Sequence, residues 1–156
     1  AIGIDASKAE SFGVCWRLNC EEQGIITRKE FVSGFSAMGT DTITKIKAQM
    51  KEVKAAIAQK SNPQEFKQFY LWLFNYCTEG QRKTIDKEVG LQMWRTVLGP
   101  HWGLTEKYCE FVEQSKVKSI SKDVWQQTLE FSREVGGDLS KFDENGTWVC
   151  TRLLLP

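Results

Sequence analysis

Between Pro63 and Cys77 the chain carries Phe66, Phe69, Tyr70, Leu73, Phe74 and Cys77, an apolar stripe stepping by three and four places. That period belongs to one face of an α-helix and not to a strand, whose side chains alternate. Asn62 is placed to cap the helix, Pro63 suits its first position, and Glu65 can reach back as in a capping box. The same period recurs along most of the chain. Asp41 is expected to cap a helix with Ile43, Ile46, Met50, Val53 and Ile57 on one side. Thr84 is expected to cap one bearing Ile85, Val89, Met93, Val97 and Leu98, stopped at Gly99-Pro100. A helix near Leu104 places Tyr108, Phe111 and Val112 on one face. Ser121 opens another with Val124, Trp125, Thr128, Leu129, Phe131 and Val135, ended by Gly136-Gly137. Since no alternation of period two persists, the expected fold class is all-α.

A chain of 156 residues can bury about 70% of its unfolded surface, so no metal or disulfide staple is required. Six Trp and nine Phe predict a large aromatic core. A net charge of +1 creates no field to gather nucleic acid or an anionic membrane. The lysines at 45, 47, 51 and 54 read as a solvated helix face. No apolar run approaches the roughly 20 residues of a membrane span, and "AIGIDASKAE" lacks signal-peptide features, so a cytoplasmic or nuclear setting is expected. No linker composition divides the chain. We expect one domain, 1–156, built of a lobe 1–78 and a lobe 79–156.

The five cysteines, Cys15, Cys20, Cys77, Cys109 and Cys150, contain no C-x-x-C pair, which argues for reduced thiols rather than a disulfide framework or zinc module. A single histidine, His101, excludes a multi-histidine metal site and leaves Cys109 with His101 as the one candidate nucleophile pair.

The stretch "NCEEQGIITRKE", Asn19 to Glu30, has the skeleton of a calcium loop between two helices. Glycine stands sixth for the sharp turn, an aliphatic residue eighth and glutamate twelfth. The remaining ligand places carry Asn19, Glu21, Gln23, the Ile25 carbonyl and Thr27. The first lacks the anchoring aspartate, and Glu21 and Gln23 are one methylene longer than the usual Asp or Asn. The loop is therefore expected to keep its shape without an ion, with Thr27 as cap and Glu30 as capping-box partner. "IITRKEFVSGF" from Ile25 is echoed by "SISKDVWQQTL" from Ser119, each reading as a short extended contact followed by a capped helix. In the corresponding second loop, 113–124, Ser115 and Val117 replace ligands, and Lys116 and Lys118 would repel calcium. Two EF-hand-like subdomains without calcium suggest a binding scaffold; a calcium-binding protein or a generic helical interaction module are the alternatives.

"KSISKDVWQQTLEFS" at Lys118–Ser132 and "DLSKFDENGTW" at Asp138–Trp148 resemble motifs of the defective-in-cullin-neddylation family, whose core is the potentiating-neddylation domain. "IGID" at Ile2–Asp5, "TDTITKIKAQM" at Thr40–Met50 and "FKQFYLWLFNY" at Phe66–Tyr76 match it in the same order. The resemblance implies an all-helical fold of two EF-hand-like subdomains that bind no calcium, and no cofactor. It implies a non-catalytic scaffold co-ligase, which holds a cullin's C-terminal winged-helix region and the acetylated N-terminal methionine of the neddylation conjugating enzyme. Matched pocket positions are Ile4, Val14, Gln23, Ile26, Tyr76 and Val97; without the resemblance they read as ordinary core. On the cullin side, Asp123 matches the first member of the family's acidic patch and Thr147 stands where the family has alanine. Leu153 occupies the third, aspartate position, and the family's additional helix between Asp5 and Trp16 has no counterpart.

Overall fold

The computed structural model describes residues 8–58, 62–78 and 82–137. Among them are seven helices and one two-stranded sheet, so the architecture is all-α with a single β contact. Contacts divide the chain into two compact units, Ala1–Gly80 and Gln81–Pro156.

The first unit contains α1 (Ala9–Arg17), α2 (Arg28–Ala37), α3 (Ile43–Ala56) and α4 (Pro63–Cys77). The α4 stripe forms as its spacing predicts, with Phe66, Phe69, Tyr70, Leu73 and Phe74 buried. Its start is capped by Asn62, whose side chain accepts from the Glu65 amide at 3.2 Å. Glu65 does not reach the Asn62 backbone; its carboxylate accepts from the Asn62 side-chain amide at 2.6 Å and pairs with Arg17 of α1. α1 packs on both α3 and α4. Gly34 lets α2 close on the end of α1, because a Cβ there would lie 2.9 Å from the Leu18 Cα and 2.5 Å from its Cδ2.

The start of α3 differs from expectation by one residue. Thr42 is the N-cap and accepts from the Lys45 amide, while Asp41 pairs with Lys45 at 2.8 Å instead. Two neighbouring residues could each cap, and the one at the last extended position does so. Ile43 is 68% exposed and stands outside the core face, which is made by Met50, Val53, Ala56 and Ile57.

The second unit runs β1 (Thr84–Asp86), α5 (Lys87–Val97), α6 (Thr105–Gln114), β2 (Ser119–Ser121) and α7 (Lys122–Val135). The predicted helix from Thr84 is the main correction to the sequence reading. Thr84 to Asp86 are extended and pair antiparallel with Ser119 to Ser121, placing Ile85 opposite Ile120. The helix begins only at Lys87, with no side-chain bond from its Asp86 cap. Both isoleucines are buried, and α5 comes so close that a Cβ on Gly90 would lie 2.3 Å from Ile120 Cδ1. Ser121 ends the strand and caps α7, accepting from the Val124 amide at 3.3 Å, as the sequence suggests. On α6 the buried face is Thr105, Tyr108, Cys109 and Val112, whereas Phe111 is partly exposed.

The expected aromatic core is present here. Trp94 stacks on Trp125 at 5.6 Å between ring centroids and meets Tyr108 edge-on at 5.4 Å. The Tyr108 hydroxyl lies 3.0 Å from Thr128 Oγ1, so the ring's polar end is satisfied inside the core. Ile120 ties the β contact to this core. Ile120→Ala should therefore destabilise the second unit by about 2–5 kcal/mol, read as a lower denaturation midpoint from tryptophan fluorescence.

Candidate partner-binding site

The site is built where α1 ends. The Cys20 amide donates to the Cys15 carbonyl at 2.9 Å and the Asn19 amide to the Trp16 carbonyl at 3.1 Å. Asn19 takes a left-handed φ of 54°. This pattern is the Schellman C-cap, which ends a helix and turns the chain sharply. The turn releases Asn19 to Glu30 as a compact loop.

Glu30 closes that loop. One carboxylate oxygen accepts from the Glu21 amide at 2.9 Å; the other accepts from the Thr27 amide at 2.7 Å and the Thr27 hydroxyl at 2.6 Å. The Thr27 hydroxyl in turn accepts from the Glu30 amide at 3.2 Å, completing the expected capping box. The Thr27 and Glu21 hydrogen bonds hold the Glu30 carboxyl below its ordinary pKa, because they favour the charged form.

Gly24 turns the loop with a φ of 77°, a conformation that glycine adopts without a Cβ penalty. Its amide donates to the Tyr76 hydroxyl at 3.0 Å, which docks the loop onto the end of α4. Tyr76 is buried and stacks on Trp72 at 4.7 Å; burial, the largest cause, pushes its hydroxyl pKa up. The residues beside Gly24 point differently. Gln23 is exposed, Ile25 and Ile26 are 47% and 45% exposed, and Phe31 and Val32 of α2 add further open apolar surface. A loop held by Glu30 and Tyr76 thus leaves aliphatic side chains open on its surface.

The calcium alternative finds little support in this geometry. Glu30, the residue that would grip an ion with both oxygens, spends them on the loop's own donors. Among the described residues no group of three or more His, Cys, Asp or Glu side chains could hold a metal ion. In the loop 113–124 the Lys87 ammonium donates to the carbonyls of Glu113 at 3.0 Å and Ser115 at 3.1 Å. Those carbonyls belong to the first and third places of the loop, so a side-chain cation is held beside those two places. Lys116 and Lys118 drew the sequence argument, but Lys87 makes the contact. The cysteine-nucleophile alternative is equally poorly served: Cys109 is buried and burial pushes its thiol up to about 11, away from the reactive thiolate.

Of the pocket positions expected from sequence, Val14, Gln23, Ile26 and Tyr76 belong to the first unit, on α1, the loop and α4, with Val14 and Tyr76 buried and Gln23 and Ile26 exposed. Val97 belongs to the second unit, where it is buried in the core of α5. Ile4 lies outside the described residues. So do Thr147 and Leu153 of the expected cullin contact, together with the motif Asp138–Trp148. Asp123 sits in the first turn of α7, exposed, with its carboxylate accepting from the Gln127 side chain at 2.9 Å. The cysteine spacing gave no sign that Cys15 and Cys20 are the two residues joined by the cap that ends α1.

The family model described as cullin binding matches residues 45–151. The chain belongs to the cullin-binding family. The match begins in α3 and runs through the second unit, so membership is decided largely outside the loop. DCN1-like protein 4 of Homo sapiens is 31% identical over 147 residues, 94% of this chain and 49% of that protein. DCN1-like protein 5 of Rattus norvegicus is 29% identical over 147 residues, 94% of this chain and 61% of its own length. DCN1-like protein 4 of Drosophila melanogaster is 26% identical over the same number of residues. The chain spans about half to three-fifths of these relatives. Alignments that leave out only nine of 156 residues, 156 minus 147, necessarily include the loop from Asn19 to Glu30.

The Glu30 clasp carries a pH signature. Since its folded pKa is depressed, the clasp stabilises the fold above the ordinary glutamate value, about 4.3, and is lost as pH falls through the folded value. Thermal melts from neutral pH to about pH 3 should show Glu30→Gln less stable than the unsubstituted chain at neutral pH. The gap should close in acid. Calorimetric titration with calcium should give no binding heat for either.

Proposed function

We propose that this chain is a non-catalytic scaffold in cullin neddylation, holding the neddylation conjugating enzyme through its acetylated N-terminus and a cullin through its C-terminal winged-helix region. Membership of the cullin-binding family is the observation that carries the reading. The loop geometry supports it, because a rigid turn with open aliphatic residues suits an apolar peptide terminus better than an ion. Val14, Ile26 and the Tyr76 ring would receive the methionine side chain and acetyl methyl. Gln23, exposed beside Gly24, would supply a polar contact to the peptide backbone. Burying one methionine side chain is worth about 1.5–3 kcal/mol, roughly ten- to a hundredfold in affinity.

Asp123 would meet a basic residue on the cullin. Its place in the first turn of α7 also suits the helix dipole, and both roles can be held together. Catalysis by such a scaffold is positional: restricting the conjugating enzyme relative to the acceptor lysine makes transfer effectively intramolecular. No covalent intermediate on this chain is needed, which agrees with the buried, protonated state of Cys109. The division of labour follows the two units, the first offering the peptide site and the second the cullin contact.

A reconstituted neddylation assay tests this directly. The chain should accelerate modifier transfer to a cullin when the conjugating enzyme is N-terminally acetylated, and acceleration should drop at least about tenfold without the acetyl group. Ile26→Asp should abolish binding of the acetylated peptide while leaving the cullin contact intact. Asp123→Lys should do the reverse. Acceleration indifferent to acetylation would remove the peptide-pocket assignment, and failure to bind any cullin C-terminal region would remove the function.

A further inference from the structure

The cap that ends α1 brings two thiols together. In the Schellman motif the first and sixth residues are joined by a backbone hydrogen bond, and their side chains usually touch. Here those residues are Cys15 and Cys20, joined at 2.9 Å from Cys20 amide to Cys15 carbonyl. Cys20 is 3% exposed and Cys15 is partly exposed. The Cys20 thiol is pushed up to about 12 by burial first, then by the adjacent Cys15 and by Glu30. Cys15 also acts on the Tyr76 hydroxyl, so the pair sits against the group that anchors Gly24.

We infer that Cys15 and Cys20 form a dithiol that a peroxide-class oxidant closes into an intramolecular disulfide across the end of α1. The partly exposed Cys15 is the thiol a peroxide reaches. Its sulfur attacks the O–O bond, giving Cys15 sulfenic acid and one molecule of water, or of alcohol from an alkyl peroxide. The Cys20 sulfur then attacks the Cys15 sulfur; the S–O bond breaks, and the hydroxyl leaves as water with the Cys20 proton. Both thiols are oxidised by one peroxide, and a thiol reductant restores them. Burial keeps Cys20 from meeting the oxidant first, which leaves it to resolve the sulfenic acid formed on the partly exposed Cys15. The pair lies near the Tyr76 hydroxyl, yet its chemistry does not depend on the identity of any partner.

Tryptic mapping separates the two thiols, because cleavage after Arg17 places Cys15 in "AESFGVCWR" and Cys20 in "LNCEEQGIITR". The folded chain would be treated with hydrogen peroxide, its remaining thiols blocked, and the digest run without reductant. The expected product is these two peptides covalently joined, released by dithiothreitol, and formed equally in Cys77→Ser. In Cys20→Ser the linked species should vanish and Cys15 should accumulate as a sulfenic acid trapped by a 1,3-diketone. Oxidation of Cys15 with the Cys20 peptide unlinked in the unsubstituted chain would overturn the inference. Prior oxidation of Cys77, or resistance of both thiols until the chain is unfolded, would overturn it as well.

Discussion

Each of the two EF-hand-shaped loops is closed by a charged side chain of the chain itself. In the first unit the Glu30 carboxylate draws the Glu21 and Thr27 amides onto itself. In the second, the Lys87 ammonium bonds the carbonyls of Glu113 and Ser115. The first clasp gives the twelfth-place carboxylate backbone donors; the second holds a side-chain cation against the loop's backbone. Both are charge-assisted hydrogen bonds, stronger than neutral ones. The exposed Ile25 and Ile26 stand on the loop that Glu30 closes.

The two loops nevertheless differ. In the second unit β2 pairs with β1, and the Lys87 amide extends the contact to the Lys118 carbonyl at 3.1 Å. The loop from Asn19 to Glu30 has no strand partner among the described residues and is docked by the side chain of Tyr76 instead. The expected echo between Ile25 and Ser119 is thus real in sequence pattern but unequal in structure. The mate of "SIS" is "TID" at Thr84, within the same unit.

Much of the helical frame was legible. The α4 stripe, its Asn62 cap, the Thr27–Glu30 box and the Ser121 cap rest on interactions within three or four residues, and local pattern reports such interactions faithfully. What escaped was decided at longer range. Thr84 looks like a cap because threonine favours that role, yet pairing with Ser121, 37 places along the chain, holds it extended. Lys87 reaches carbonyls 26 and 28 residues away. At the candidate site Gly24 and Ile26 could be recognised from the loop's spacing. Tyr76 could be matched to the family but its hydrogen bond could not be foreseen, since 52 residues separate donor and acceptor.

By itself the sequence determined that the chain would be helical, that its loops lacked the short carboxylates an ion demands, and that its motifs run in the order of one family. Those properties depend on residue type and near spacing alone. Tertiary structure alone decided which isoleucines are spent on the core and which stay open: Ile85 and Ile120 are buried against each other, while Ile25 and Ile26 face out. All four are aliphatic residues in short extended stretches, so composition cannot separate them. The difference comes from what packs across each loop, a second strand in one case and a single tyrosine hydroxyl in the other.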